Sequence, residues 1–162
     1  MLYKIIFAVS FLLCSCSYSV YSSGYPHLKN ISIIPFVNHT TEYDLDDELL
    51  IDLTENFEKD GRLNIVGLSP DSQLEGEILD YSNKIHSYGD TEIDEYEVKI
   101  LFKIVYYDLV KNRIIYQNDS LLLKEVYSPT NENNEFSSEE EAQNEIYNDL
   151  FDTIIKLSLE EW

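Results

Sequence analysis

The residues best placed for covalent chemistry are two cysteines near the start of the chain, Cys14 and Cys16. They follow Lys4 and the short apolar run Ile5 to Leu13. That run suits the core of a secretory signal. It falls short of the ~20 apolar residues that a membrane-spanning helix needs. Leu13-Cys14-Ser15-Cys16 resembles the bacterial lipobox, with an aliphatic residue three before a cysteine and small residues between. Taking Cys14 as the modified residue would put Leu13 at the cleavage position, where a small side chain is needed. Cys16 is therefore the expected lipid-attachment residue. The plain alternative is an ordinary secretory signal with incidental cysteines. Cleavage before Cys16 leaves a single cysteine, which rules out an intrachain disulfide and a Cys-rich zinc site.

Little else in the chain points to catalysis. His27, His39 and His86 are scattered, and no Ser or Cys nucleophile motif accompanies them. The chain is expected not to be an enzyme, with no catalytic residue, no metal site and no cofactor. The acidic runs Asp44 to Glu48 and Glu139 to Glu141 sit where helices should begin, and the helix dipole accounts for them. The loop Asp90 to Glu95 is more open to calcium but lacks the EF-hand pattern. The glycines are isolated, so no phosphate-binding loop is present.

The charge balance narrows the partners. Eleven basic and 31 acidic residues give a net charge of −20. Such a field repels nucleic acid and anionic membrane surfaces. Removing residues 1–15 would take away one cation, Lys4, and no acid. The membrane hold must then come from the lipid, and stable anchoring takes more than one acyl chain. Ser17 follows the anchor residue. By resemblance to the bacterial lipoprotein sorting rule, in which an Asp there suggests inner-membrane retention in some bacteria, Ser17 implies the outer membrane.

The remaining chain must position whatever this protein presents. Residues 1–15 read as the signal peptide, 16–29 as a lipidated tether and 30–162 as a single domain. Tyr18, Tyr21 and Tyr25 in the tether could lie against a membrane or a partner. A first strand is expected from Asn30 to Phe36, with Pro35 marking an edge or bulge. Leu45, Leu49, Leu50, Leu53 and Phe57 predict a helix over 45–60, capped by Asp44 and stopped by Gly61. A long strand follows from Gln73 to Ser87, and a bulge near Leu79 would account for a change in its inward set. The clearest strand is Tyr96 to Leu109. Tyr96, Val98, Ile100, Phe102, Ile104 and Tyr106 share one face; Glu97, Lys99, Leu101, Lys103, Val105 and Tyr107 share the other. Lys111-Asn112 should turn the chain into a return strand from Arg113 to Val126. Ser137 and Glu140 read as a capping box for a last helix, with Ile146, Leu150, Ile154 and Leu157 as its stripe. The order predicts an α+β fold, a small and mostly antiparallel sheet with two helices packed on one face.

These pieces resemble the LptE family, lipopolysaccharide-assembly lipoproteins of the Gram-negative outer membrane. The matching residues are Cys16 with Tyr18, Tyr25-Pro26-His27-Leu28-Lys29-Asn30-Ile31, Ile34-Pro35-Phe36 and Asn38. Asp60-Gly61-Arg62-Leu63, Val66, Tyr81, Tyr88, Tyr96 to Asp108 and the closing Glu161-Trp162 follow. The resemblance implies a non-enzymatic protein that plugs and helps assemble the LptD β-barrel translocon. It also implies lipopolysaccharide binding during delivery to the cell surface. To meet that anionic ligand here, Lys99, Lys103, Lys124 and Arg113 would have to cluster on the sheet, or divalent ions would have to bridge. The strand-helix start also fits a second class, periplasmic lipoproteins that activate a peptidoglycan synthase or form part of a secretion channel.

Overall fold

The structure, a computed structural model, describes residues 25–88, 93–130 and 134–159. The expected signal peptide, Cys16, Tyr18, Tyr21, part of the Asp90 to Glu95 loop and Glu161-Trp162 lie outside the described residues. The elements are β1 (Asn30–Ile33), β2 (Val37–Asn38), α1 (Leu45–Asp60), β3 (Asn64–Ile65), β4 (Ser72–Tyr88), β5 (Ile93–Asp108), β6 (Arg113–Tyr127) and α2 (Glu139–Ser158). The sheet runs β3-β1-β4-β5-β6, with β2 also on β4. The long pairings β4–β5 and β5–β6 are antiparallel. The short pairings of β1 with β3 and β4, and of β2 with β4, are parallel. The architecture is thus α+β and mostly antiparallel. Its parallel corner arises because α1 carries the chain back to the starting end of β1.

α1 forms where its apolar spacing dictates. Leu45, Leu49, Leu53 and Phe57 are buried at three- and four-residue steps. Gly61 ends it at φ 70, and its N–H donates to the Phe57 carbonyl. That left-handed backbone is the geometry glycine adopts at least cost. Asp44 does not cap the helix as expected. It sits at φ 65 and makes no side-chain cap bond; only its carbonyl accepts, from the Glu48 N–H at 2.9 Å. A side-chain cap goes with extended backbone at that position, which Asp44 lacks.

α2 is capped one residue later than expected, by Ser138 in place of Ser137. The Ser138 hydroxyl accepts the Glu141 N–H at 3.2 Å. The Glu141 carboxylate reaches back to the Ser137 N–H and hydroxyl at 2.7 and 2.9 Å. The run Ser-Ser-Glu-Glu-Glu offers the same chemistry in two registers, and the buried stripe starting at Ala142 selects this one. Leu157 was expected on that stripe but is exposed. Ile154, Ile155 and Ser158 take the buried positions, and the Ser158 hydroxyl donates to the Ile154 carbonyl.

The expected strand Asn30 to Phe36 stops at Ile33, because Pro35 has no N–H to pair. The chain resumes pairing at Val37. Between the two pieces Phe36 turns inward and is buried. It lies so close to Gly76 that a Cβ there would stand 2.4 Å from its ring and 2.5 Å from the Lys103 carbonyl oxygen. In β4 the pairing slips between Ile78 and Asp80, so Leu79 occupies a bulge. The helix-side set changes there from Leu74, Gly76 and Ile78 to Tyr81, Asn83 and Ile85, the last of them exposed.

One face of β5 forms the sheet's share of the core. Val98, Ile100, Phe102, Ile104 and Tyr106 are wholly buried with the stripes of both helices. The Phe57 and Phe151 rings meet edge to face at 5.0 Å and join α1 to α2. Each such buried apolar side chain contributes about 1.5–3 kcal/mol of transfer free energy. The last residues of the expected tether are docked on the domain. Leu28 is buried, and His27 Nε2 donates to the Asp108 carboxylate at 2.9 Å.

Candidate functional site: the open face of the sheet

Both helices pack on one face of the sheet, and the opposite face carries no helix among the described residues. That open face is built by alternation: the residues between the buried ones on β5 point away from the helices. Glu97, Lys99, Leu101, Lys103, Val105 and Tyr107 form its central row. On β4 they face Lys84, Ser82, Asp80, Glu77, Glu75 and Gln73 in the same order. On β6, Val126, Lys124 and Leu122 face Glu97, Lys99 and Leu101.

Two ion clusters stand on this face. Glu97 accepts from Lys99 Nζ at 2.5 Å and Lys124 Nζ at 3.1 Å, with His86 Nδ1 at 3.9 Å. Glu77 accepts from Lys103 Nζ at 2.6 Å and His39 Nε2 at 2.9 Å. The hydrogen bond from Lys99, aided by Lys124, holds the Glu97 carboxyl below the usual carboxylate range against some loss of hydration. The hydrogen bonds from Lys103 and His39 do the same for Glu77, and the Lys103 ammonium is pushed up in return. Between the clusters Leu101 and Leu122 face each other across β5 and β6, and Leu122 is 53% exposed. A cleft of about 400 Å³ opens beside the Pro35 break, with Ile34, Pro35 and Val37 on one wall and Gly76, Lys103 and Val105 on the other.

Of the four basic residues that an anionic ligand would require, the fold gathers Lys99, Lys103 and Lys124 on this face. Arg113 lies elsewhere. Its Nε donates to Asp108 at 3.3 Å, and its guanidinium stands 5.2 Å above the Tyr25 ring. The three gathered lysines are engaged by two carboxylates, Lys99 and Lys124 by Glu97 and Lys103 by Glu77, and Lys84, Asp80 and Glu75 on β4 bring the face to four positive and four negative charges. The face is therefore a charge-balanced ladder around an apolar row, and an apolar centre with a polar border is the general layout of protein interfaces.

The three histidines are not brought together; each meets a different carboxylate, Asp108, Glu77 or Glu97. Among the described residues no group of three His, Cys, Asp or Glu side chains is arranged to hold a metal. No described helix is long and apolar enough to cross a membrane. The alternation of β5 in the sequence predicts its two faces but not the ion pairing on the outer one. The signal was present in Glu97-x-Lys99, two opposite charges one step apart on the same face. The bond from the Tyr81 hydroxyl to Glu139, which ties β4 to the start of α2, had no local signal.

Residues 28–156 match the family model of LptE, described as lipopolysaccharide-assembly. This chain belongs to the LptE family. Its general role is in lipopolysaccharide assembly. No curated protein sequence matches it closely enough to add to that. Solved structures share the LptE-like fold at low identity. A protein from Xanthomonas campestris superposes with a TM-score of 0.57 at 8% identity, over 80% of this chain and 84% of that one. A hypothetical protein from Chlamydia trachomatis gives 0.53 at 12% identity, over 79% and 94%. An uncharacterized lipoprotein B from Nitrosomonas europaea gives 0.52 at 14%, over 81% and 83%. At these identities the likeness concerns the fold alone.

Proposed function

We propose that this LptE-family chain is a non-enzymatic outer-membrane lipoprotein, anchored through Cys16, that plugs and helps assemble an LptD-like β-barrel. Through that barrel it supports lipopolysaccharide delivery to the cell surface. The observation that carries the reading is the uncovered sheet face. A plug must present to a barrel wall a broad, rigid surface whose charges are already balanced, since unpaired charges buried against the wall would cost several kcal/mol each. The ladder Glu97–Lys99–Lys124 and Glu77–Lys103, flanking Leu101 and Leu122, meets that need. The lipobox at Leu13 to Cys16 supplies a hold on the membrane that the net charge of −20 does not.

The test is co-purification from detergent with the chain and its Leu122→Asp variant. The expected result is a large barrel retained by the wild type and lost from the variant, while melting temperature is unchanged. Capture of a peptidoglycan synthase, or a homo-oligomeric ring, would overturn the plug reading. Depletion gives a second readout: lipopolysaccharide reaching the surface normally without this protein excludes the role. Cys16→Ala should release the protein from the membrane fraction once the barrel is depleted.

A further inference from the structure

We propose that the end of the domain where the chain enters rests on the lipid surface, with the loop tips Leu68 and Leu109-Val110 seated among the headgroups. This rests on the reading of Cys16 as the acylated residue.

Three observations converge on that end. The first is where the preceding chain leaves. Tyr25 and His27 are fixed there, under Arg113 and against Asp108. Cys16 lies nine residues before Tyr25. At the ~3.3–3.6 Å that one extended residue can span, this end stays within about 30 Å of the bilayer.

The second is an apolar surface with no internal purpose. The loop before β4 and the β5–β6 turn meet here, joined by the Leu109 N–H donating to the Asp71 carbonyl at 2.9 Å. Leu68, in the loop that ends at Asp71, is 87% exposed, and Leu109, Val110 and Ile114 in and beside the β5–β6 turn are exposed as well. Other large apolar side chains are exposed elsewhere, but Leu109, Val110 and Ile114 stand within six residues of one another about a single turn, and such local grouping marks a contact surface.

The third is charge. Lys29 and Lys111 are exposed at this end without a salt-bridge partner among the described residues, unlike Lys99, Lys103 and Lys124. Three acids at this end are engaged: Asp71 accepts the backbone N–H groups of Lys29 and Asn30, Asp108 is buried, and Asp60 at the close of α1 pairs with Arg62. The acidic first turns of α1 and α2 lie at the opposite end, beyond β2 and Tyr127. Apolar tips with adjacent lysines fit a phospholipid headgroup layer, in which the apolar groups sink and the ammonium groups meet phosphate.

The full, acylated chain in vesicles of phosphatidylethanolamine and phosphatidylglycerol provides the test. A fluorescent probe is placed at Leu68→Cys or Val110→Cys, with Ile51→Cys on the outer face of α1 as the control. All three sites are exposed, so the fold tolerates the change. The expected result is a blue shift and strong quenching by nitroxide-bearing lipid at 68 and 110, with neither at 51. Mass measurement of the N-terminal peptide reports acylation of Cys16 separately. An unmodified Cys16 overturns the anchor reading and this inference with it. An acylated Cys16 with probes at 68 and 110 as water-exposed as at 51 overturns this inference alone.

Discussion

The buried carboxylate of Asp108, at the end of β5, holds His27 Nε2 at 2.9 Å and so fastens the entering chain to the sheet. It also accepts Arg113 Nε at 3.3 Å and the Lys111 backbone N–H at 2.9 Å. Burial alone would push this carboxyl up, but the Lys111, His27 and Arg113 donors outweigh it and hold it below its usual value of 3.8. A carboxyl depressed on folding adds stability that is complete above its unfolded pKa and lost as pH falls through the folded one. Wild-type melting temperature should therefore drop more steeply below about pH 4 than that of Asp108→Asn. At neutral pH, Asp108→Ala should cost about 2–3 kcal/mol, the range for hydrogen bonds to a charged group, measured by urea unfolding.

Gly76 is set by packing, not by backbone torsion. A methyl group there would meet the Phe36 ring and the Lys103 carbonyl at once. Gly76→Ala should destabilise the domain by about 1–3 kcal/mol, the usual cost of overpacking. Shortening the ring with Phe36→Leu should not restore stability, because the carbonyl contact remains.

The two helix starts should respond in opposite ways. Ser138→Ala removes a formed cap and should cost about 1 kcal/mol. Asp44→Gly removes no side-chain cap bond and relieves a positive φ, so it should be neutral or stabilise by up to about 1 kcal/mol. Thermal unfolding of the two variants side by side checks the sign.

The ladder on the open face makes a prediction about anions. Glu97→Gln leaves Lys99 and Lys124 directly opposite each other without their shared carboxylate. Stability should fall only slightly, by about 0.5 kcal/mol for like charges facing across strands. Binding to lipopolysaccharide micelles should rise, and the gain should vanish in high salt. No gain at low salt would show that these lysines do not face an anionic ligand.

The parts of the fold legible in the sequence were those fixed by periodicity. The extent of α1, closed by Gly61, the bulge at Leu79 and the inward set of β5 follow from apolar spacing and one glycine. The errors arose where two local solutions share one chemistry. Ser137 and Ser138 are equivalent until the buried Ala142 chooses between them. Asp44 is a good cap by type, but the chain arrives there in a left-handed turn. Leu157 fits a three-residue step and Ser158 a four-residue one, and the structure buries Ser158. The open face was half legible. Its mixed composition was plain, whereas its charge balance depends on β2 and β6 bringing His39 and Lys124 from far along the chain.

The place of β1 in the sheet bears on mechanical load. β1 is the first strand after the entering chain, yet it lies between β3 and β4 and not at an edge. A pull from the N-terminal side first meets the His27–Asp108 clamp and then β1, paired in parallel on both sides. Tension along that strand shears both sets of hydrogen bonds together, where an edge strand could be peeled off one bond at a time. The fold can therefore be held from its N-terminal side against a partner that moves, with the strain spread into the middle of the sheet.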